Sequence, residues 1–299
     1  MPIFKVILLA IIQGIAELLP ISSSAHVVVA EKLMGLDPSS PQMTMLLVML
    51  HTGTMFAVIV YFWSEWKRTY FSSRRAFQRF AKLAIWATLL TGVVGEALKE
   101  IIEKTMFRGA EKAEIEQLFS HLELIAPALA AAGLVILVAG LVERRRERKV
   151  GLVSRTADRA KTITFPQAAW MGLVQGLALP FRGFSRSGST ISAGMLAGVA
   201  KMRAERFSFA LAVLLTPPVV GMELLRLIKA SQAADLAGTP IDLHGALAVS
   251  LLGAVFSFFA GLGALKWLSS RLESGRWYLF GIYCLAASAV VIYLHLRGF

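Results

Sequence analysis

Val174-Gln175-Gly176-Leu177-Ala178-Leu179-Pro180-Phe181-Arg182-Gly183-Phe184-Ser185-Arg186-Ser187-Gly188-Ser189-Thr190 decides how this chain is read. An apolar segment stops at a proline and gives way to a turn with two arginines, three serines, a threonine and two glycines. Apolar sequence resumes from Ile191 to Ala200. The first five residues repeat Ile12-Gln13-Gly14-Ile15-Ala16, and there too a proline and a serine-rich turn follow: Pro20, Ser22, Ser23, Ser24 and then His26. Each arm is short for a crossing, which takes roughly 20 apolar residues as a helix. Pro20 disfavours helix at Leu19 and marks a break. Both copies are therefore expected to be re-entrant helix–turn–helix hairpins, because irregular backbone at membrane depth is tolerated only inside protein or beside a cavity.

Outward from these turns the chain is strongly apolar, with 56% hydrophobic residues in 299 and a mean hydropathy of +0.65. Six runs approach membrane-spanning length: Met43 to Trp63, Leu83 to Leu98, Leu124 to Val142, Phe207 to Ile228, Leu243 to Leu265 and Trp277 to Leu296. They are continuous rather than alternating, which selects helices over a β-barrel. The expected fold is an all-α integral membrane protein of about six transmembrane helices plus the two hairpins. The formal charge of +12 does not signal nucleic acid, because the excess sits in short loops (Lys67, Arg68, Arg74, Arg75, Arg79 and Lys82; then Arg144, Arg145, Arg146, Arg148, Lys149, Arg155, Arg159 and Lys161). Short basic loops between apolar spans are topology signals and contacts for anionic lipid. Three spans separate the hairpins, so the second copy enters from the opposite side. The result is a single membrane domain in an inverted-topology repeat: repeat 1 over about 1–142, a basic loop over about 143–163, and repeat 2 over about 164–299. Lys99 to Glu123 carries mixed charge and is expected outside. Phe4 to Leu19 lacks the order of a cleaved signal and is expected to stay in the mature protein. The lone Cys284 excludes an intrachain disulfide.

The chemistry concentrates in the two turns. Gln13 and Glu17 are four apart and share a helix face. Glu17 is a carboxylate at intramembrane depth, read as metal ligand or general base against the plainer reading of a paired acid within the bundle. His26, beside Ser22 and Ser23, is a proton-transfer group or nucleophile; alone it would be a satisfied core histidine. In the second turn Ser185, Arg186 and Ser187, bracketed by Gly183 and Gly188 with Thr190 opening a helix, form an anion cradle. Arg182 is either a second phosphate contact or a solvated flank. His51-Thr52-Gly53 could line the site or be a polar packing contact. Glu96 and Glu223 are assigned to interfaces or pairs, and the small-residue span Gly245 to Gly263 to tight helix packing. An anion cradle facing a carboxylate inside lipid points to phosphate ester or anhydride chemistry on an amphiphile.

At these residues the chain resembles the undecaprenyl-diphosphate phosphatase family of the bacitracin-resistance type. Gln13 to Glu17 leading into Pro20-Ile21-Ser22-Ser23-Ser24-Ala25-His26 matches its first motif, and Arg182 to Thr190 its second, over essentially the whole chain. Arg182 replaces a proline of that motif, and Gln13 stands where Glu or Gln is allowed. The resemblance implies hydrolysis of undecaprenyl diphosphate to undecaprenyl phosphate, recycling the carrier lipid for cell-wall synthesis. It implies a multi-pass protein of the bacterial cytoplasmic membrane with a site opening to the outer face, and a divalent cation, Mg2+ or Ca2+. Carried over, Glu17, Ser23, His26 and Arg186 are catalytic, with Ser23 or His26 as nucleophile or proton carrier. Ser22, Gly183, Ser185, Ser187 and Thr190 bind substrate; Gln13 and Glu17 hold the metal. The rival reading is a polyprenyl-phosphate or anion transporter on the same scaffold.

Overall fold

The computed structural model describes residues 1–106, 121–150, 162–236, 241–272 and 276–298, and among them every regular element is helical. The helices are α1 (Ile3–Leu18), α2 (Ser23–Leu33), α3 (Pro41–Thr69), α4 (Arg74–Met106), α5 (Leu122–Val150), α6 (Phe165–Ala178), α7 (Arg186–Leu196), α8 (Lys201–Leu236), α9 (Leu243–Leu272) and α10 (Tyr278–Leu296). Six of them, α3, α4, α5, α8, α9 and α10, are long and apolar enough to cross a membrane. They correspond one to one with the six runs in the sequence, extended at their polar ends. Ser40 caps α3, its Oγ accepting from the Met43 amide at 3.4 Å, and Lys67 and Arg68 fill its last turn, where cations suit the dipole. Most of the mixed-charge stretch between α4 and α5, and most of the basic loop after Arg146, lie outside the described residues.

The remaining helices form two broken hairpins, α1–α2 and α6–α7. At about 1.5 Å per residue none of the four reaches a bilayer's roughly 30 Å core. The first break runs through Leu19, Pro20 and Ile21; the second through Pro180 to Phe184. Lys5 donates from Nζ to the Met34 carbonyl at 2.7 Å, closing the open end of the first hairpin. That end leads directly into the start of α3. The second hairpin is rooted at the opposite, arginine-rich end. There Arg146 of α5 donates to the Met195 carbonyl at 2.9 Å, Arg79 of α4 reaches Thr162 at 2.8 Å just before α6, and Arg206 of α8 meets Glu65 near the end of α3 at 2.7 Å. The two hairpins thus enter from opposite ends and meet tip to tip.

Packing pairs the halves crosswise: α1 lies on α9 and α6 on α4, while α3 meets α8 and α5 meets α10. The Gln-Gly pair that marks the repeat performs the same task in each copy. A methyl group added at Gly14 would come within 2.5 Å of the Ala260 Cβ, and one at Gly176 within 2.8 Å of both the Thr91 carbonyl oxygen and the Val94 Cβ. Gly53 lies against the Ala254 backbone in α9, so the small residues of 245–263 do serve close helix contact. Lipid offers no hydrophobic drive for helices to associate, so this contact at van der Waals distance holds the bundle together.

Candidate functional site

Where the tips meet, one carboxylate gathers the site. Glu17 ends the last full turn of α1 and is 4% exposed. Arg186 Nη2, from the first residue of α7, donates to its Oε1 at 2.5 Å. Ser23 Oγ, from the first residue of α2, donates to Oε2 at 2.5 Å, and Gln13 Nε2 donates to the same oxygen at 3.0 Å. His51 Nε2 of α3 lies 3.3 Å from Oε2. A buried carboxylate is costly unless paired and hydrogen-bonded, and this one is both. His51 Nδ1 lies 2.8 Å from the Leu47 carbonyl, which accepts only, so that nitrogen carries a proton. Nε2 then faces the carboxylate across a position for a second, shared proton.

The backbone at both tips is drawn tight. Among the described residues, Ser22 (φ 66°) and Ser185 (φ 20°) are the non-glycine residues at positive φ. They occupy the same position, the N-cap of the second arm, in the two hairpins. Such conformations cost on the order of 1–3 kcal/mol each and persist where surrounding structure enforces them, typically at functional sites. Gly183 adopts φ 111°, which a side chain would resist, against the Ile125 carbonyl. Gly188 fits between the Ser185 hydroxyl and Pro20 of the other hairpin. With the chain so bent, the amino ends of α2 and α7 both present their positive dipole ends at the Glu17–Arg186 pair, a setting for an anion.

Beside the pair lies a cavity of ≈ 250 Å³. Ser24, His51, Arg182, Ser185 and Arg186 give it a polar, cationic side; Leu47, Val48, Met55, Leu179, Leu215 and Val219 give it an apolar one. Thr216 and Glu223 of α8 complete the wall around Pro217 and Pro218, two residues that remove intrahelical donors. Arg186 Nη1 is buried without a hydrogen-bond partner, as are Gln13 Oε1 and Thr190 Oγ1. A cavity with one charged and one greasy side, and a guanidinium nitrogen in reserve beside it, fits an anionic headgroup on an apolar chain.

The expected residues divide into those at the centre and those that support it. Gln13, Glu17, Ser23 and Arg186 converge. Ser22 supplies the strained cap of α2, and Ser185 caps α7 by accepting from the Gly188 amide at 3.2 Å. Ser187 and Thr190 are buried within α7, and Gly183 in the turn, rather than on the cavity wall. Thr190 does not open the helix: α7 begins at Arg186, one turn earlier, because Ser185 is the residue whose side chain can reach back to a free amide. His26 stands apart. Its Nδ1 is 2.8 Å from the Ser22 carbonyl and its Nε2 2.7 Å from the Tyr283 hydroxyl of α10, whose ring stacks on it at 5.7 Å. One nitrogen donates and the other accepts, so a neutral His26 is satisfied where it is. His51 is the residue the sequence left undecided and the structure places beside Glu17; an ionisable group inside an apolar span is the signal for it. Tyr283 had none.

Six spans, two tip-to-tip hairpins and an acid–arginine–serine centre beside an amphipathic cavity define a multi-pass membrane protein built to handle an anionic lipid headgroup. The family model described as "Bacitracin resistance protein BacA" matches residues 6–290, and the chain belongs to that family. A protein of Acinetobacter baylyi called undecaprenyl-diphosphatase 2 is 54% identical over 294 residues, covering 98% of both chains. Undecaprenyl-diphosphatases of Desulfatibacillum aliphaticivorans and Halothermothrix orenii are 32% and 31% identical, over 96% and 98% of this chain and 97% and 98% of their own.

The partners of the ion pair predict an asymmetry. Glu17→Ala leaves the largely enclosed Arg186 guanidinium uncompensated and lowers unfolding stability by about 3–5 kcal/mol. Arg186→Ala costs less, because the carboxylate keeps Ser23, Gln13 and His51. Thermal unfolding of the detergent-solubilised variants checks the order; a larger loss in Arg186→Ala contradicts this arrangement.

Proposed function

We propose that this protein is a membrane phosphatase that hydrolyses undecaprenyl diphosphate to undecaprenyl phosphate and phosphate, returning the carrier lipid to cell-wall synthesis. Family membership and a 54% identical undecaprenyl-diphosphatase support the substrate. The observation that carries the chemistry is the Ser23 hydroxyl donating to the Glu17 carboxylate at 2.5 Å, opposite Arg186. The prenyl chain stays against the apolar wall or in lipid while the diphosphate enters between the amino ends of α2 and α7.

In this reading Glu17 takes the Ser23 proton as Oγ attacks the terminal phosphorus, the bridging P–O bond breaks, and undecaprenyl phosphate leaves. Glu17 hands that proton to the departing undecaprenyl phosphate oxygen; water then attacks the phosphoserine, giving a proton to Glu17, which passes it to Ser23 Oγ as the P–O bond to the serine breaks and phosphate leaves. Arg186 offsets the charge on the transferring phosphoryl oxygens, the term that dominates phosphoryl transfer. His51 shares the proton that Glu17 accepts. Ser23 rather than His26 attacks, because His26 already donates and accepts at its two nitrogens away from Glu17. This geometry favours an enzyme over the transporter, since moving a lipid needs the cradle but not a serine on a carboxylate.

A divalent cation fits the donors. Glu17, Ser23 and the unpartnered Gln13 Oε1 are hard oxygen ligands of the kind Mg2+ or Ca2+ takes, with diphosphate and water oxygens completing the set. Bound there it would neutralise phosphate charge.

The repeats, residues about 1–142 and 164–299, are inverted copies, and the hairpins re-enter the bacterial cytoplasmic membrane from opposite faces. The arginine-rich end faces inward, so the site opens to the outer, periplasmic face. Cysteines introduced at Ser40 and at the basic 144–149 end of α5 should label from opposite sides of intact cells and inverted vesicles; labelling from one side contradicts this topology.

Phosphate release from undecaprenyl diphosphate by purified protein should fall about 10²–10³-fold in Ser23→Ala, Glu17→Gln and Arg186→Ala, the scale of losing one transition-state partner. His26→Ala should lose far less. Chelation should stop release, and Mg2+ or Ca2+ should restore it. Full activity in Ser23→Ala contradicts the assignment; lipid movement in vesicles with no phosphate release by wild type favours the transporter.

A further inference from the structure

Glu17 and Arg186 bring an acid of the first hairpin to an arginine of the second. A second arginine of the second turn, Arg182, stands at the same cavity. Arg182 is half-buried, with Nη1 shielded from solvent. It lines the cavity together with Arg186, His51 and Ser185. Arg182 thus shares a wall with the residues beside Glu17 and is not a solvated flank.

A guanidinium forks onto two oxygens of one phosphoryl group. Arg186 already spends Nη2 on Glu17 and has Nη1 in reserve beside the phosphoryl group that Ser23 would attack. A diphosphate carries a second phosphoryl group that one arginine does not cover. We propose that Arg182 grips this second phosphoryl group, the one that stays on the lipid. This inference rests on the phosphatase reading and names what selects a diphosphate over a monophosphate.

Calorimetric titration of the purified protein with inorganic pyrophosphate and with orthophosphate, in metal-free buffer, tests it without turnover. Arg182→Ala should weaken pyrophosphate binding about tenfold, the scale of one charge-assisted contact, and leave orthophosphate binding within about twofold. In turnover its KM for undecaprenyl diphosphate should rise by a similar factor with kcat nearly unchanged, unlike Arg186→Ala. Arg182→Lys should recover part of the loss. If Arg182→Ala does not fold, Arg182→Gln retains much of the stem and carries the same expectations. Equal weakening of both anions, unchanged pyrophosphate binding, or a fall in kcat without a rise in KM overturns the proposal. Selective pyrophosphate loss in a protein whose wild type releases no phosphate supports the Arg182 assignment and contradicts the phosphatase.

Discussion

The contact between Glu17 and Arg186 is the constraint on which the rest of the structure depends. It joins residues 169 apart in sequence and is the point at which two helices too short to cross the membrane become one structure. An isolated charge at that depth would be costly, and removing Glu17 would strand Arg186. The pair is therefore tolerable only if both tips are delivered accurately. The serines at positive φ, the glycine at the second turn and the proline breaks are the local means of that delivery. Strain of this kind is held by the surrounding bundle rather than by the turns themselves.

The bundle, in turn, is organised to present the two turns on packed helical supports. Each hairpin's long arm lies on a spanning helix of the other half, α1 on α9 and α6 on α4, through the glycine that follows the repeated glutamine in each copy. The two glutamines then diverge. Gln13 donates to Glu17 at 3.0 Å, whereas Gln175 donates to Thr91 at 3.2 Å, because no carboxylate follows in the second copy. One repeat contributes the carboxylate and the serine that donates to it, the other the guanidinium and the serine-capped turn. A single site assembled from unlike halves of a repeat explains why the site lies at their meeting point rather than once in each.

Much of this was legible in the residues. The Gln-Gly repeat, the proline breaks and the basic loops led to six spans with two short hairpins, and the four-residue spacing of Gln13 and Glu17 put them on one face. What escaped the sequence depended on contacts between distant elements. His51 lay in an apolar run with nothing local to show that α3 would carry it to Glu17. His26 kept an open role because its partner Tyr283 is 257 residues away. The start of α7 was misplaced to Thr190 because the run of serines offers several possible caps, and only the folded turn selects Ser185. Arg182 was undecided for the same reason: only the folded turn puts it on the cavity wall beside Arg186 and His51.

The claim that the two tips form one catalytic unit is tested most directly by kcat/KM for undecaprenyl diphosphate in Ser23→Ala, Arg186→Ala and the double variant. Groups that act together are strongly non-additive, the double losing little more than the worse single. That result is predicted here. Losses that multiply in the double variant would show that Ser23 and Arg186 act independently, and would contradict a site built from both hairpins.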